Sequence, residues 1–446
     1  MILVTLEIVK QITNKGRKKM NLHKVLTPLF SMVSIIAVIL CINSAVFTQQ
    51  KVVPEFKDIY SSLDNFSFLG FAGTGGQGFL KLVRTNDNNF VTFDGENVVE
   101  IVADYSRKTL WKSFYYCNGL AIAKNDNIIV IRHKQLARYK DDNNNMGLEG
   151  LFVSFKWFVE TGSNYFQDVI VDNDDNNSVV VGYSDYDSFG VPKQGGIIAK
   201  YDINNNVIWK KDFRSIDSHT LNDITQDSDG CYVAIGSIKK TVGDIATTNG
   251  FIVKYDKNGK LLWNKEFKET DQDTFSSVKP VPGGGVIVVG NSNDIKYVNG
   301  KLIGDSDGLL VKYDVEGNVV LKIRYDKNGF GEVFNDVEIA HIDNKNDVFI
   351  AVGKSWDSSK ELRTTDKALM VVFSGDTVLY ESQHFYSTGQ YIFNSISLLD
   401  GDWRNCIIVG AYFNYPKGVQ PYALSDNDYY NLTMVYFDYN TESQTK

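Results

Sequence analysis

Short runs in which apolar and polar residues alternate, separated by turn-forming residues, cover most of the chain. In residues 250–267, GFIVKYDKNGKLLWNKEF, one alternating run ends at Tyr255, DKNGK supplies a tight turn, and a second apolar run begins at Leu261. Alternation with a period of two residues predicts β-strands that are buried on one face. The stretch is therefore predicted to be a β-hairpin.

Similar text recurs along the chain. GIIAKYDINNNVIWKKDF spans 196–213 and GLLVKYDVEGNVVLKIRY spans 308–325. Residues 97–111 match 249–263, and 368–380 is a looser copy. An element like YVAIGS (232–237) precedes each copy, and an element like TLNDITQ (220–226) precedes that. One unit therefore has four short strands, A to D, with a period of roughly 55–60 residues. Repeated four-stranded units are typical of the blades of a β-propeller.

Seven A strands are predicted, starting near residues 78, 118, 165, 220, 274, 333 and 391. The last unit has A, B and C strands, but the chain ends before a D strand. Residues 66–71, FSFLGF, precede the first A strand at the spacing that separates D from A elsewhere. We therefore predict an all-β, seven-bladed β-propeller of four-stranded antiparallel blades over residues 64–440. A strand at about 66–71 would complete the last blade and close the ring.

The KYD…N…W…F text, together with the VG·S text, resembles the secreted bacterial β-propeller repeats (the SBBP-like group) within the wider WD40-like propellers. The resemblance covers about residues 64–440 and is clearest over 150–385. It implies a propeller fold and an exported location. It implies no particular reaction, because propellers carry many functions.

The N-terminal region predicts export. Residues 25–42, VLTPLFSMVSIIAVILCI, are apolar and uncharged, Lys24 precedes them, and the small residues Ser44-Ala45 follow. This order is typical of a signal peptide. Retention as a membrane anchor is the alternative, because about 20 apolar residues can span a bilayer. We expect an extracellular protein that is either secreted or anchored to the membrane by residues 25–46.

These segments define the predicted organisation of the chain. Met20 begins a cleaner signal than Met1, so the residues before it are interpreted as a doubtful extension. The predicted segments are the extension 1–19, the signal peptide or membrane anchor 20–46, a linker 47–63, the propeller 64–440 and a polar tail 441–446.

Charge narrows the range of partners. The chain has 46 Lys and Arg against 54 Asp and Glu, a formal net charge of −8. An acidic protein is poorly suited to nucleic-acid phosphates or anionic lipids. We therefore expect no nucleic acid as a partner, membrane contact only through the N-terminal segment, and a monomer.

The sequence contains no recognisable nucleophile motif, phosphate-binding loop or clustered zinc ligands. Acidic segments such as DNDDNN at 172–177 and DSDG at 227–230 offer oxygen ligands of the kind that Ca²⁺ requires. The same residues suit tight turns. We favour turns, expect no cofactor, and keep calcium as the alternative.

Three acidic residues, Asp168, Asp223 and Asp336, share one position on the A strands, which line the channel of a propeller. We interpret them as strand-capping or water-binding residues. The alternative is acid–base chemistry on extracellular carbohydrate, and two carboxylates that converge in a pocket with perturbed pKa values would favour it. One D-strand position holds a tryptophan that we expect to pack between blades: Trp111, Trp209 and Trp263.

Connection lengths predict the binding face. The B-to-C connections are predicted to be long loops at about 184–195, 238–249, 293–307, 356–367 and 413–431. Aromatic residues on such loops suit protein anchors or sugar stacking, although they could equally fold a loop onto its blade. The candidate binding residues are Trp356, Phe413, Tyr415, Tyr422, Tyr429 and Tyr430.

The predicted function is a binding or adhesion module for a protein or glycan partner at a cell surface. The alternatives are an extracellular carbohydrate-active enzyme that uses channel carboxylates, or a structural component of the cell envelope.

Overall fold

The computed structural model describes residues 55–61, 66–67, 81–85, 89–93, 97–101, 107–112, 118–124, 127–132, 135–139, 152–157, 164–188, 191–215, 217–242, 245–298, 301–327, 330–343, 346–357, 366–384, 390–398, 405–413 and 429–438. Residues 55–441 form one compact unit. The predicted segments 1–19, 20–46 and 441–446 lie outside the described residues. Among those that are described, no helix has the length and apolar character needed to cross a membrane.

The described secondary structure consists of strands. The N-terminal strands are β1 (Glu55–Ser61) and β2 (Phe66–Ser67). The next eight are β3 (Val83–Arg84), β4 (Phe90–Phe93), β5 (Asn97–Ile101), β6 (Arg107–Lys112), β7 (Gly119–Ile122), β8 (Ile128–Arg132), β9 (Gln135–Tyr139) and β10 (Phe152–Trp157).

The central strands are longer. They are β11 (Asn164–Val171), β12 (Ser178–Ser188), β13 (Val191–Tyr201), β14 (Val207–Phe213), β15 (Ser218–Gln226), β16 (Tyr232–Val242), β17 (Ile245–Tyr255), β18 (Leu261–Phe267), β19 (Gln272–Pro280), β20 (Val286–Val298), β21 (Lys301–Tyr313) and β22 (Val319–Tyr325). The last are β23 (Phe330–Asp343), β24 (Asn346–Asp357), β25 (Lys367–Ser374), β26 (Thr377–His384), β27 (Gln390–Leu398), β28 (Asn405–Phe413) and β29 (Tyr429–Asp438).

Consecutive strands pair as four-stranded antiparallel sheets: β3 to β6, β7 to β10, β11 to β14 and β23 to β26. Strands β15 to β22 form one larger sheet, in which two such four-strand sets are joined by a parallel bridge between Thr248 and Gln272. The predicted four-strand repeat and the all-β class are confirmed. Every described sheet has an open strand order, so seven blades and ring closure stay predictions.

The N-terminal strands join the last sheet, whose order is β1-β29-β28-β27. Strand β1 pairs with β29 from Glu55–Asp438 to Ser61–Thr433, and β2 adds two residue pairs. The main pairing therefore lies upstream of the predicted strand at 66–71, inside the segment interpreted as a linker. Strand β29 has ten residues, and the edge that β1 covers needs hydrogen-bond partners along its whole length. A strand at 66–71 could pair with only one end of that edge.

Five first strands, β11, β15, β19, β23 and β27, each carry a bulge at the same place. The residue that faces the bulge from the second strand is a glycine in every case: Gly182, Gly236, Gly290, Gly353 and Gly410. A Cβ at Gly236 would lie 1.9 Å from the carbonyl oxygen of Thr220. The glycine of the repeated VG text is thus required because the bulged backbone leaves no room for a side chain.

The apolar core lies between neighbouring sheets. Val181 and Ile198 of one sheet, for example, belong to the same buried cluster as Ile224 and Tyr232 of the next. The tryptophan of the repeat extends this contact. Trp209 donates its indole N–H to the Lys257 carbonyl, 3.2 Å away.

The equivalent Trp263 donates to Val315 at 3.1 Å. Each of these rings lies so close to a turn glycine of the next sheet, Gly259 or Gly317, that a Cβ there would meet it at 3.0 Å or less. Packing between sheets is confirmed for both tryptophans, whereas the Trp111 side chain lies outside what is described.

Three of the predicted long loops are strands. The ladders of three second-to-third-strand hairpins continue to the pairs Ser188–Val191, Val242–Ile245 and Val298–Lys301. The loop predictions at 184–195, 238–249 and 293–307 were therefore wrong. These segments lack a clear apolar face, but backbone pairing needs none when both faces of a ribbon meet solvent. Residues 358–365 and 414–428, in the other two predicted loops, lie outside the described residues.

Candidate functional site

A polar cavity lies at the centre of the unit, where the first strands meet. Each bulged first strand contributes two consecutive residues to it, such as Gln167-Asp168, Asn222-Asp223 and Asn335-Asp336. A bulge turns adjacent side chains toward the same side. Lys81 and Asn118 complete the lining from the first two sheets, and no aromatic or aliphatic side chain lines the cavity among the described residues. The space measures about 420 Å³, including solvent at its mouth.

One lysine joins two of the predicted carboxylates. The Lys81 Nζ donates a hydrogen bond to Asp168 Oδ1 and lies 3.6 Å from Asp223 Oδ1. The two carboxylates are 4% and 14% exposed, and Lys81 is 29% exposed. This contact ties the residue before β3 to strands β11 and β15 across the cavity.

The surroundings shift the pKa values of the two carboxyl groups in opposite directions. Burial raises the pKa of Asp168 well above its ordinary value, and the charge of Asp223 raises it further, against the pull of Lys81. Burial also acts to raise the pKa of Asp223, but the charge of Lys81 and the Val278 N–H at 2.8 Å outweigh it and lower that pKa. Of the two groups, Asp168 therefore binds a proton more readily than Asp223.

Asp336 occupies the same repeat position in different surroundings. Its Oδ1 accepts from the Ser277 hydroxyl and its Oδ2 from the Ser395 hydroxyl, both at 2.7 Å. The N–H groups of Val337 and Ile396 donate to the same carboxylate at 2.9 and 3.1 Å. The carboxylate therefore bridges strands β19, β23 and β27, as the predicted structural role requires.

A second ion pair flanks the cavity. Lys279 Nζ lies 2.8 Å from Glu338 Oε1. Burial acts to lower the pKa of Lys279, but the carboxylates of Glu338 and Asp336 outweigh burial and raise it. The ammonium group is therefore held in its charged form.

Amide side chains link neighbouring first strands. In each of three cases, an asparagine donates its Nδ2–H to the carbonyl of a phenylalanine on the next first strand: Asn118 to Phe166 at 2.8 Å, Asn222 to Phe275 at 2.9 Å and Asn335 to Phe393 at 2.8 Å. These contacts use the amide donors and leave amide oxygens at the cavity.

One edge of the sheets is built from long hairpins. We call it the hairpin edge and define it by the hairpin ends at the pairs Ser188–Val191, Val242–Ile245 and Val298–Lys301. The connections from each last strand to the next first strand lie on the same edge, and they brace the hairpins. Lys240 Nζ lies 2.7 Å from Glu266, and the Thr248 N–H donates to Asp271 at 3.0 Å. The hairpins are therefore anchored ribbons.

The other edge, called the turn edge, consists of compact turns such as 172–177, 227–231 and 256–260. Asp256 Oδ1 closes one of them by accepting from the backbone N–H groups two and four residues later, at 2.9 and 2.8 Å. Such Asx turns satisfy their own polar groups.

The acidic turns that suggested calcium have partners of this kind. Asp172 lies 2.7 Å from Lys200 Nζ and accepts the hydroxyl of Tyr232. Burial acts to raise the pKa of Asp172, but these two bonds outweigh it and lower the pKa to about 2. In the next repeat, the equivalent residues form the same contact, with Asp227 2.7 Å from Lys254.

The predicted aromatic site residues are placed as follows. Trp356 lies in β24, 7% exposed, with Lys354 Nζ 5.5 Å from its ring centroid. Phe413 ends β28 and pairs with Tyr430, which with Tyr429 begins β29. These three residues therefore lie in strands and not in a loop. Their side chains, and all of Tyr415 and Tyr422, lie outside what is described.

The chain matches no protein-family model and no curated protein. Solved structures similar to it include the WD40 β-propeller domain of Doa1 (10% identity, TM-score 0.49, covering 85% of this chain and 96% of that one). A chain of a mitotic checkpoint complex is 12% identical, with a TM-score of 0.47 and coverage of 86% and 92%. A protein of unknown function from Bacteroides caccae is 13% identical, with a TM-score of 0.38 and coverage of 68% and 96%. These scores are low, so the fold assignment rests on the strand pairing of this chain.

Proposed function

We propose that this chain is an exported seven-bladed β-propeller that binds a protein or glycan through its hairpin edge. Support for a closed ring comes from the two ends of the repeat. The Leu82 N–H donates to Ser395 Oγ at 3.3 Å, and Arg84 donates to the Leu398 carbonyl at 3.3 Å. The first and last sheets are therefore in contact. First strands of all seven predicted blades contribute to one cavity.

The observation that carries the binding proposal is the unequal construction of the two edges. The three hairpins extend strand pairing as far as Ser188–Val191, Val242–Ile245 and Val298–Lys301, whereas the turn edge consists of short turns that satisfy their own polar groups. A paired ribbon loses little conformational entropy when a partner binds it. The hairpin edge is therefore the better-organised platform for a partner.

The chemistry of that edge favours a polar contact. Its described side chains include Lys239, Asp185, Arg214 and Glu269, all exposed and of both signs. Mixed charges with backbone-rigid ribbons suit a protein surface or a glycan, whose hydroxyl groups pair with charged and amide side chains. The same proposal includes export directed by residues 20–46. The protein would be either secreted or anchored to the membrane, with the hairpin edge outside the cell.

The test is a binding screen followed by hairpin shortening. Residues 47–446 are presented to a glycan array and to immobilised cell-surface proteins. Residues 240–247 are then replaced by Asn-Gly, which closes the ladder at the Lys239–Thr248 pair. We expect binding to fall at least about tenfold, because a contact surface is removed, with an unchanged melting temperature. The matched control, Asp229→Ala with Asn258→Ala on the turn edge, should bind normally; the reverse pattern refutes the hairpin edge.

A second candidate function is acid–base hydrolysis of an extracellular carbohydrate. Two of the three predicted carboxylates do converge in the cavity, and their pKa values move in opposite directions, which is how acid and base roles separate. Lys81 contacts Asp168 and lies 3.6 Å from Asp223, so a substrate would compete with this lysine for both carboxyl groups. Hydrolysis of a glycan by the parent protein, lost in both Asp168→Asn and Asp223→Asn while folding persists, would establish this function.

A further inference from the structure

Part of the hydrogen-bond donor capacity of the cavity lining is already used. One N–H of each amide of Asn118, Asn222 and Asn335 donates to a backbone carbonyl. The hydroxyl hydrogens of Ser277 and Ser395 are spent on Asp336.

Two oxygen atoms of the lining are deeply buried. Asp168, 3% exposed, has no N–H or O–H donor to its Oδ2 among the described residues, and the same holds for Oδ1 of Asn394, 8% exposed. Leaving a buried acceptor without a donor costs free energy. Burial raises the pKa of Asp168, and a proton on this group removes its charge but leaves Oδ2 without a hydrogen-bond partner.

The formal charge of the cavity is negative. With the proton on Asp168, Lys81 contributes one positive charge and Asp223 and Asp336 one negative charge each, while Lys279 and Glu338 cancel. A cationic ligand is therefore favoured over an anionic one. A divalent metal fits poorly, since the one described cluster of acidic groups with metal-like spacing is Asp307, Asp326 and Glu332, away from this cavity.

We propose that the cavity binds an ammonium group, which brings positive charge and N–H donors together and has no acceptor of its own. Lys81 already shows the chemistry, because its Nζ donates to one carboxyl group and approaches a second. A fully methylated ammonium is excluded as the ligand, since it has no N–H and is held by aromatic rings, which this cavity lacks among its described lining. The group could come from a small primary amine or from the lysine of a partner protein.

Binding should release a proton. A ligand N–H that donates to Asp168 Oδ2 favours the carboxylate over the protonated form, so a proton bound to Asp168 leaves to solvent. The ammonium group itself keeps all its hydrogens. Affinity should therefore rise with pH, because the raised pKa of Asp168 keeps the competing proton in place at low pH. This inference does not depend on the proposed hairpin-edge function.

The experiment is titration calorimetry of the intact protein with methylammonium chloride at constant ionic strength. Measurement in two buffers of different ionisation enthalpy counts the protons released. Tetramethylammonium chloride and sodium chloride are the control ligands, and a lysine-containing peptide against its acetyl-lysine form tests the partner source. We expect methylammonium to bind with proton release and the tetramethyl compound not to bind.

Variants make the test specific. Asp168→Asn should weaken methylammonium binding about tenfold or more, because it removes a charged acceptor, and should abolish proton release. Asn394→Ala should weaken binding without changing the proton count, and Asp229→Ala on the turn edge should change neither.

Four results would overturn the site: no binding of methylammonium, equal binding of tetramethylammonium, equal binding of sodium, or an unaffected Asp168→Asn variant. Binding of the lysine peptide but not of its acetylated form would identify a partner lysine as the source. Binding of methylammonium alone would identify a small amine.

Discussion

The two sides of the central cavity differ although the repeat makes them equivalent. On one side, Lys81 contacts Asp168 and lies near Asp223, and the pKa of Asp168 is raised while that of Asp223 is lowered. On the other side, Asp336 accepts two serine hydroxyls and two backbone N–H groups. The difference arises from the neighbouring repeats, which place a second aspartate next to Asp168 and serines on both sides of Asp336. Position in a repeat therefore determines where a side chain lies, and the residues on adjacent first strands determine its chemistry.

The largest effects should come from substitutions at the bulges that carry Asp223 and Asp336 into the cavity. A Cβ at Gly353 or at Gly236 would lie 1.9 Å from a carbonyl oxygen. Gly353→Ala should therefore distort the strand pair that carries Asp336, and Gly236→Ala should distort the pair that carries Asp223. We expect each to lower the free energy of unfolding by about 3 kcal/mol or more, measured by chemical denaturation.

The control for the bulges is Gly283→Ala. Gly283 has a φ of 85°, and a Cβ at this position would meet no other atom within 4 Å, so only backbone strain remains, about 1 kcal/mol. Equal losses at Gly283 and Gly353 would mean that crowding at the bulge is not what the glycines relieve.

Removing the Asp336 carboxylate should come next. Asp336→Ala leaves the Ser277 and Ser395 hydroxyls and two N–H groups without their acceptor. Unsatisfied buried donors cost about 1–3 kcal/mol each, and relaxation will recover some of that, so we expect a loss of about 3–5 kcal/mol in denaturant unfolding. An Asp229→Ala control in an exposed turn should stay within about 0.5 kcal/mol of the parent. If Asp336→Ala lost as little stability as the Asp229→Ala control, the structural role of Asp336 would be refuted.

Lys81 should be coupled to one side of the cavity alone. Lys81→Met should cost about 2 kcal/mol, less than a fully buried pair because the lysine is partly exposed. A double-mutant cycle with Asp223→Asn should show a coupling of about 1 kcal/mol, and a cycle with Asp336→Asn should be additive. Coupling to Asp336 as strong as that to Asp223 would remove the distinction between the two sides.

The smallest effect is the pH dependence of Asp168→Asn. The folded-state pKa of Asp168 is raised, so its contribution to stability is complete below its ordinary value of 3.8 and is lost as pH rises through the raised pKa. The variant should therefore gain stability relative to the parent as pH rises above 3.8, at up to about 1.4 kcal/mol per pH unit. Asp223, whose pKa is lowered, behaves oppositely, and its contribution is lost as pH falls through the lowered pKa. Parallel stability curves for parent and Asp168→Asn would contradict this assignment.

Much of the fold could be predicted from the sequence. The repeat text predicted the four-strand sheets, the placement of Asp168, Asp223 and Asp336 on first strands, and the packing of Trp209 and Trp263 between sheets. Each of these follows from local alternation or from one residue type that recurs at one position. The N-terminal strand was misplaced because its spacing was inferred from the repeat, whereas β1 pairs with the full length of β29.

The cavity chemistry could not be predicted. Lys81 lies in the most divergent repeat and 87 residues from Asp168, so no local pattern connects them. The long hairpins were also missed, because polar ribbons lack the apolar alternation by which the other strands were recognised. A glycine facing five first strands at the same position was the available signal for the bulges that turn two residues into the cavity.

The most direct test of the account is a titration of the aspartate carboxyl groups. Infrared or carbon-13 spectra of protein labelled at the aspartate carboxyl carbon, recorded across pH, report each protonation. The account predicts one carboxyl group that titrates well above the ordinary aspartate range, and predicts that Asp168→Asn removes this signal while Asp336→Asn leaves it in place. A spectrum without such a group, or one in which Asp336→Asn removes it, would contradict the assignment of the raised pKa to Asp168.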